Sequence, residues 1–130
     1  MNAAYIDTSF LLAIIFGESP ASALRRRLLK FERRLAGDLL RAEALSAARR
    51  EALALDGLQP TLAAISLVLP ERSLEHEMRE ALRHGYLRGA DLWHVACALY
   101  VAGDTRSDLT FLSRDQAQRA VARRLGFPAP

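Results

Sequence analysis

The chain has 130 residues, of which 51% are hydrophobic and 25% are charged, with a formal net charge of +3 at pH 7. This composition is typical of globular proteins and excludes a disordered or fibrous chain, and the length suits a single domain over residues 1–130. The apolar run at residues 10–16 is far shorter than the roughly 20 residues that cross a membrane, and the N-terminus lacks the basic segment of a signal peptide, so we expect a cytoplasmic protein.

Hydrophobic periodicity predicts strands that alternate with helices along the chain. The first strand covers residues 1–6, and the hydroxyls of Thr8 and Ser9 are placed to cap an all-apolar helix at 10–16. The later elements are helices at 21–35, 41–55 and 60–65, a strand at 67–69, a helix that Ser73 caps and that runs to residue 84, a helix at 90–102, a strand at 109–112 and a helix at 115–125. Because parallel strands need crossover connections, this order predicts an α/β fold with a mainly parallel sheet and helices on both faces.

Four acidic residues share one kind of position, because each follows a predicted strand or lies in the first turn of a predicted helix. They are Asp7, Glu43, Asp91 and Asp115. In an open α/β sheet these positions meet at the edge where such folds bind ligands. Carboxylates gathered in one cleft need a cation to remain ionised together. No cysteine or histidine cluster has zinc spacing, so an all-oxygen site favours Mg²⁺ or Mn²⁺.

Helix capping offers a plainer explanation for each acid taken alone, since carboxylates complement the free N–H groups of a first helical turn. Asp115 followed by Gln118 resembles a capping box. Asp7 fits this explanation least, because it directly follows a buried strand, where an uncompensated charge is costly. Ser9 and Ser113 stand beside two of the acids and are placed to orient a carboxylate or a metal-bound water, although they are equally suited to capping.

Other residues have less specific patterns. His94 lies near the third acid, but a single histidine among apolar neighbours is more often a core residue, and Cys97, the only cysteine, is expected to be a reduced core thiol. Seventeen of the eighteen basic residues are arginines, a bias that is compatible with a polyanionic partner without demonstrating one. Three arginines neighbour the acids and are candidates for phosphate contacts or for surface ion pairs: Arg41, Arg88 and Arg114.

Four dispersed segments, taken together, are similar to the motifs of the PIN domain. They are YIDTS at 5–9, LRAE at 40–43, ADLWHVA at 90–96 and FLSRD at 111–115. The segment ARRLGF at 122–127 also resembles the end of the VapC-type toxins in that family. The resemblance implies a three-layer α/β/α sandwich and a ribonuclease that uses Mg²⁺ or Mn²⁺ to hydrolyse RNA phosphodiester bonds. It further implies a homodimer that a small cognate antitoxin protein holds inactive, as in VapBC-type type II toxin–antitoxin pairs.

The resemblance also assigns roles to the acids, because they fall on the four acidic positions of the family: Asp7, Glu43, Asp91 and Asp115. We expect Asp7 and Asp91 to be direct metal ligands, and the other two to bind metal or orient water. Ser113 stands where the family often has threonine, which keeps the hydroxyl. The alternatives are a PIN module that processes RNA without being a toxin, and a non-catalytic module that binds RNA or protein.

Overall fold

The computed structural model describes residues 2–18 and 20–130. Four strands form its central sheet, namely β1 (Ala3–Ile6), β2 (Arg33–Gly37), β3 (Ser66–Val68) and β4 (Leu109–Leu112). All three strand pairs are parallel, and the spatial order is β3-β2-β1-β4. The predicted α/β class with a parallel sheet is therefore confirmed.

Within the described residues, six α-helices lie between these strands and a seventh follows the last strand. They are α1 (Thr8–Ile15), α2 (Ala21–Leu29), α3 (Leu39–Arg50), α4 (Gln59–Ala63), α5 (Glu75–Leu82), α6 (Gly89–Ala102) and α7 (Gln116–Arg124). Short 3₁₀ turns lie at Leu55–Leu58 and Arg106–Asp108. None of the described helices has both the length and the apolar character that crossing a membrane requires.

Alternation along β1 divides the core into two layers, because successive side chains of a strand point to opposite faces. Ala3 and Tyr5 pack with residues of α5, α6 and α7, whereas Ala4 and Ile6 pack with residues of α1, α2 and α3. All four side chains are at most 4% exposed. The sheet is thus covered by helices on both faces, which makes the fold a three-layer α/β/α sandwich.

The main error of the sequence-based prediction concerns β2. The helix expected over 21–35 ends at Leu29, and residues 33–37 form a strand instead. The strand begins with Arg33 and Arg34 and continues the spacing of apolar residues in α2, so its pattern is helical. Pairing decides otherwise, since Leu35 lies opposite both Tyr5 of β1 and Ser66 of β3. Tertiary hydrogen bonding here overrides the local period.

Smaller differences concern the ends of elements. The helix expected over 41–55 begins at Leu39 and ends at Arg50, so Glu43 lies in its second turn and not in its first. The first strand was expected from residue 1, and that residue lies outside the described part of the chain, while the strand itself begins at Ala3. The remaining strands and helices occur within a few residues of their expected positions.

Parallel pairing sets the location of the site. Ile6 at the end of β1 is paired with Leu112 at the end of β4. The backbone N–H of Asp7 donates to the carbonyl of Leu112 over 2.9 Å, which continues this pairing by one step. The segments that follow the two strands therefore emerge side by side at the carboxyl edge of the sheet.

Candidate active site

A cavity of about 500 Å³ opens at this edge. Its lining includes all four acids that the sequence singled out, each from a different part of the fold. Asp7 follows β1, Glu43 lies on α3, Asp91 lies in the first turn of α6, and Asp115 precedes α7. The structure thus brings together residues that are more than 100 positions apart in the chain.

Asp7 is 3% exposed, and both of its carboxylate oxygens accept hydrogen bonds. Oδ2 accepts from the backbone N–H of Ser9 over 3.0 Å and from the Ser9 hydroxyl over 2.5 Å. Oδ1 accepts from the side-chain amide of Gln118 over 2.9 Å. Asp7 is therefore the N-cap of α1, and the expectation that Thr8 and Ser9 cap this helix was wrong. Charge-assisted bonds on both oxygens hold the carboxylate in one orientation.

Asp115 is the N-cap of α7, where its Oδ1 accepts from the backbone N–H of Gln118 over 2.8 Å. The backbone N–H of Asp115 donates to the hydroxyl of Ser113 over 2.9 Å, so the reciprocal half of the expected capping box does not form. Ser113 in turn donates to Oε1 of Gln118 over 2.7 Å. The side chain of Gln118 is thereby directed away from the backbone N–H of Asp115, its expected partner in a capping box, and into the site.

Gln118 is the residue that the sequence-based prediction missed. It is completely buried, and its amide N–H groups donate to Asp7 and, over 3.1 Å, to the backbone carbonyl of Asp91. One signal in the sequence points to it, because Gln118 shares a helical face with Val121 and Ala122, which are also buried. A glutamine on an apolar helix face needs polar partners inside the fold.

Glu43 is about one-third exposed and receives two hydrogen bonds on the same oxygen, Oε1. The Thr8 hydroxyl donates over 2.8 Å, which is its role in place of the expected helix cap, and His94 Nε2 lies 2.8 Å away. The bond from His94, more than the bond from Thr8, lowers the pKa of Glu43, and partial burial opposes this only in part. Glu43 is therefore ionised at neutral pH.

The pKa of Asp91 is raised, in contrast to that of Glu43. Burial is the main cause that raises its pKa, and the negative charges of Asp7 and Asp115 raise it further. Arg88 offsets this only in part, because its Nε lies 3.5 Å from Asp91 Oδ2 and its side chain is 77% exposed. Asp7 and Asp115 therefore repel the charge of Asp91, and a bound cation would relieve this repulsion.

The donor set fits a hydrated divalent cation better than a fully protein-bound one. Among the described residues, no group of three or more His, Cys, Asp or Glu side chains is placed to hold a metal ion by itself. The acids around the cavity nevertheless offer only hard oxygen donors, and Mg²⁺ usually keeps several water ligands. The volume of about 500 Å³ leaves room for those waters between the carboxylates.

The other candidate residues have varied surroundings. His94 is 1% exposed, as expected of a core histidine, but it contacts Glu43 and its Nε2 lies 4.0 Å from Asp7 Oδ1. Cys97 is buried and free, as expected. Of the three arginines that neighbour the acids in sequence, only Arg88 lines the cavity. Arg50, which the sequence did not single out, lines it as well.

Arg41 and Arg114, the other two arginines that neighbour the acids in sequence, do not line this cavity. Arg41 pairs with Asp38 over 2.6 Å on the surface. Arg114 is exposed and contributes only its backbone N–H, which donates to the Ser9 hydroxyl over 3.0 Å. Surface pairing, which the sequence left open as the alternative to phosphate contact, thus describes Arg41.

A model of the PIN domain family matches residues 4–124, a range that contains every acid of the cavity together with His94 and Gln118. No curated protein and no solved structure gives a significant match. PIN domains are generally nucleases, and they typically use divalent metal ions. The family match covers nearly the whole chain and agrees with the parallel sheet, the helices on both of its faces and the acidic cavity. The chain belongs to the PIN domain family.

Proposed function

We propose that the protein is a ribonuclease that depends on Mg²⁺ or Mn²⁺ and hydrolyses RNA phosphodiester bonds. The observation that carries this proposal is the convergence of four carboxylates from separate segments on one cavity at the carboxyl edge of the sheet. The raised pKa of Asp91, which burial and then the charges of its acidic neighbours cause, supports a cation as the missing partner. A non-catalytic binding module would have no need to maintain this repulsion.

We assign direct metal binding to Asp7 and Asp91, and metal binding or the orientation of water to Glu43 and Asp115. When bound, a divalent cation supplies activation of water as a nucleophile and stabilisation of negative charge on the phosphate. The chain prepares Asp7 for this role, because Gln118 and Ser9 hold its carboxylate before any ligand arrives. Such preorganisation lowers the reorganisation needed during the reaction.

A cavity of carboxylates repels RNA, so the substrate needs positive charge nearby. Arg50 and Arg88 both line the cavity, the former from the end of α3 and the latter just before α6. Their side chains are 71% and 77% exposed, and each is engaged only by an acid next to or near it in sequence. Guanidinium groups bind phosphate through two parallel hydrogen bonds. We therefore propose that these two arginines contact the phosphates that flank the scissile bond.

The test is cleavage of RNA by the purified protein. We expect cleavage with Mg²⁺ or Mn²⁺, loss of cleavage with EDTA, and loss in Asp7→Asn, which removes the charge but keeps the size of the side chain. Asp104→Asn is the control, because Asp104 is exposed in the loop after α6. Undiminished activity of Asp7→Asn would refute the proposed site, and thermal melts would show that the variant is folded.

We propose the toxin role on narrower grounds, which are the family match and the resemblance of residues 122–127 to the end of VapC-type toxins. Expression in a host should arrest growth, and co-expression of a small antitoxin protein encoded beside the gene should relieve the arrest. Active but harmless nuclease would favour RNA processing instead. The homodimer is a further part of this proposal, and light scattering of the purified protein would test it.

A further inference from the structure

A chain of buried hydrogen bonds leads from the backbone of β2 to the carboxylate of Glu43. The backbone N–H of Gly37 donates to the Tyr5 hydroxyl over 2.8 Å, and this hydroxyl lies 2.9 Å from Nδ1 of His94. Nε2 of the same imidazole lies 2.8 Å from Oε1 of Glu43. Tyr5 is completely buried and His94 is 1% exposed, so water does not compete for the bonds that join Gly37, Tyr5 and His94.

The chemistry of the partners fixes the direction of every proton in this chain. An amide N–H can only donate, so the Tyr5 oxygen accepts from Gly37 and keeps its own proton for a further partner. Cys97 also contacts this hydroxyl, but sulfur accepts hydrogen bonds more weakly than an imidazole nitrogen does. Tyr5 therefore donates to Nδ1 of His94.

Nδ1 then accepts, and the single proton of a neutral imidazole is on Nε2. This is the nitrogen that faces Glu43, whose carboxylate can only accept. Both bonds to Glu43 end on Oε1, which leaves Oε2 outside the hydrogen-bond chain.

We infer that Tyr5 and His94 are positioning residues that fix the orientation of Glu43, so that Oε2 faces the cavity as a preformed cation ligand. The inference rests on the proposed function, since it gives Glu43 a role in metal binding. The packing supports a fixed geometry, because Tyr5 stacks on Phe111 with ring centroids 5.6 Å apart and meets the His94 ring edge-on at 6.0 Å. Partners of this kind commonly tune metal affinity in proteins.

One pair of variants separates positioning from simple core packing. In His94→Gln, the amide nitrogen takes the place of Nε2 and still donates to Glu43. In His94→Asn, the amide takes the place of Nδ1 and contacts only Tyr5. Both variants remove the ring and so disturb the core in a similar way. We expect His94→Asn to weaken Mn²⁺ binding about 10- to 100-fold, the range for lost outer partners of metal ligands. His94→Gln should restore most of this affinity.

Tyr5→Phe is a second variant, and it removes one oxygen and keeps the ring. Tyr100→Phe is its control, because Tyr100 lies on α6, where its ring contacts Arg72, away from Glu43. Mn²⁺ affinity, measured from free Mn²⁺ by electron paramagnetic resonance, should fall about 10-fold in Tyr5→Phe only. Nitrogen-15 NMR of the three histidines should show the Nε2–H tautomer of His94 in the wild-type protein and a mixture in Tyr5→Phe.

Two results would overturn the inference while leaving the proposed function intact. The first is an Nδ1–H tautomer of His94 in the wild-type protein. The second is equal Mn²⁺ affinity of His94→Asn, His94→Gln and the wild-type protein, with binding and RNA cleavage still lost in Asp7→Asn. If the wild-type protein neither binds Mn²⁺ nor cleaves RNA, the proposed function fails, and the metal-binding role of Glu43 inferred here fails with it.

Discussion

Replacement of Gln118 by leucine should destabilise the protein more than any change at an exposed glutamine. The substitution keeps the approximate size of the side chain but removes its amide. Asp7 then loses the bond to Oδ1, in a position where its side chain is 3% exposed and water cannot replace the donor. The hydroxyl of Ser113 loses its acceptor at the same time.

The magnitude follows from these contacts. A hydrogen bond to a charged group contributes about 1.5–3 kcal/mol, and an unsatisfied buried hydroxyl adds about 1 kcal/mol. Burial of the leucine side chain offsets part of this loss, by roughly 1–2 kcal/mol. The net destabilisation is therefore about 2 kcal/mol. For a chain of this length, that is a decrease in Tm of roughly 6–10 °C.

The assay is thermal and urea unfolding followed by circular dichroism, with RNA cleavage measured alongside. Gln116→Leu is the matched control, because Gln116 is the exposed first residue of the same helix and should tolerate the same substitution. Cleavage should fall at least about 10-fold in Gln118→Leu, since Asp7 is no longer held in place. A loss of stability below about 0.5 kcal/mol, or one equal to that of Gln116→Leu, would refute the reasoning.

Three further predictions concern other parts of the site. Arg50→Ala should raise the KM for RNA and reduce the slope of log affinity against log salt concentration by about 0.7. Arg49→Ala changes the exposed neighbour outside the cavity and should have neither effect. Equal effects of the two substitutions would contradict a phosphate contact at Arg50. The pKa of Asp91 is raised in the folded protein, mainly by burial, so ionisation of Asp91 opposes folding. Metal-free Asp91→Asn should therefore have a higher Tm than the wild-type protein at pH 7, and this difference should disappear below about pH 4, where Asp91 is protonated in both the folded and the unfolded state. A lower Tm of Asp91→Asn at pH 7 would disprove the repulsion. Gly37→Ala should lower the free energy of unfolding by about 1–3 kcal/mol, since a Cβ at this position would lie 2.9 Å from the Tyr5 hydroxyl oxygen. In the double variant with Tyr5→Phe, which lacks this oxygen, most of the loss should disappear. Strictly additive effects of the two substitutions would argue against the close approach.

The sequence by itself determined the class of fold and the identity of the acids. Alternation of strands and helices is a local pattern of apolar residues, and it required no knowledge of which segments pair. The positions of Asp7 and Asp115 after strands are equally local, and parallel pairing then necessarily places them at one edge of the sheet. For these reasons the α/β architecture and the acidic cavity follow from residues read in order.

Only the tertiary structure decided how the chain between 21 and 37 divides and how the acids are held. Arg33 and Arg34 begin a strand because β1 offers free backbone groups beside them, although their own sequence pattern is helical. Gln118 donates a hydrogen bond to Asp7, which is 111 residues away in sequence, and His94 contacts Glu43, which is 51 residues away. A buried polar side chain must satisfy its hydrogen bonds with whatever groups the fold places beside it, and no local pattern records which groups those will be.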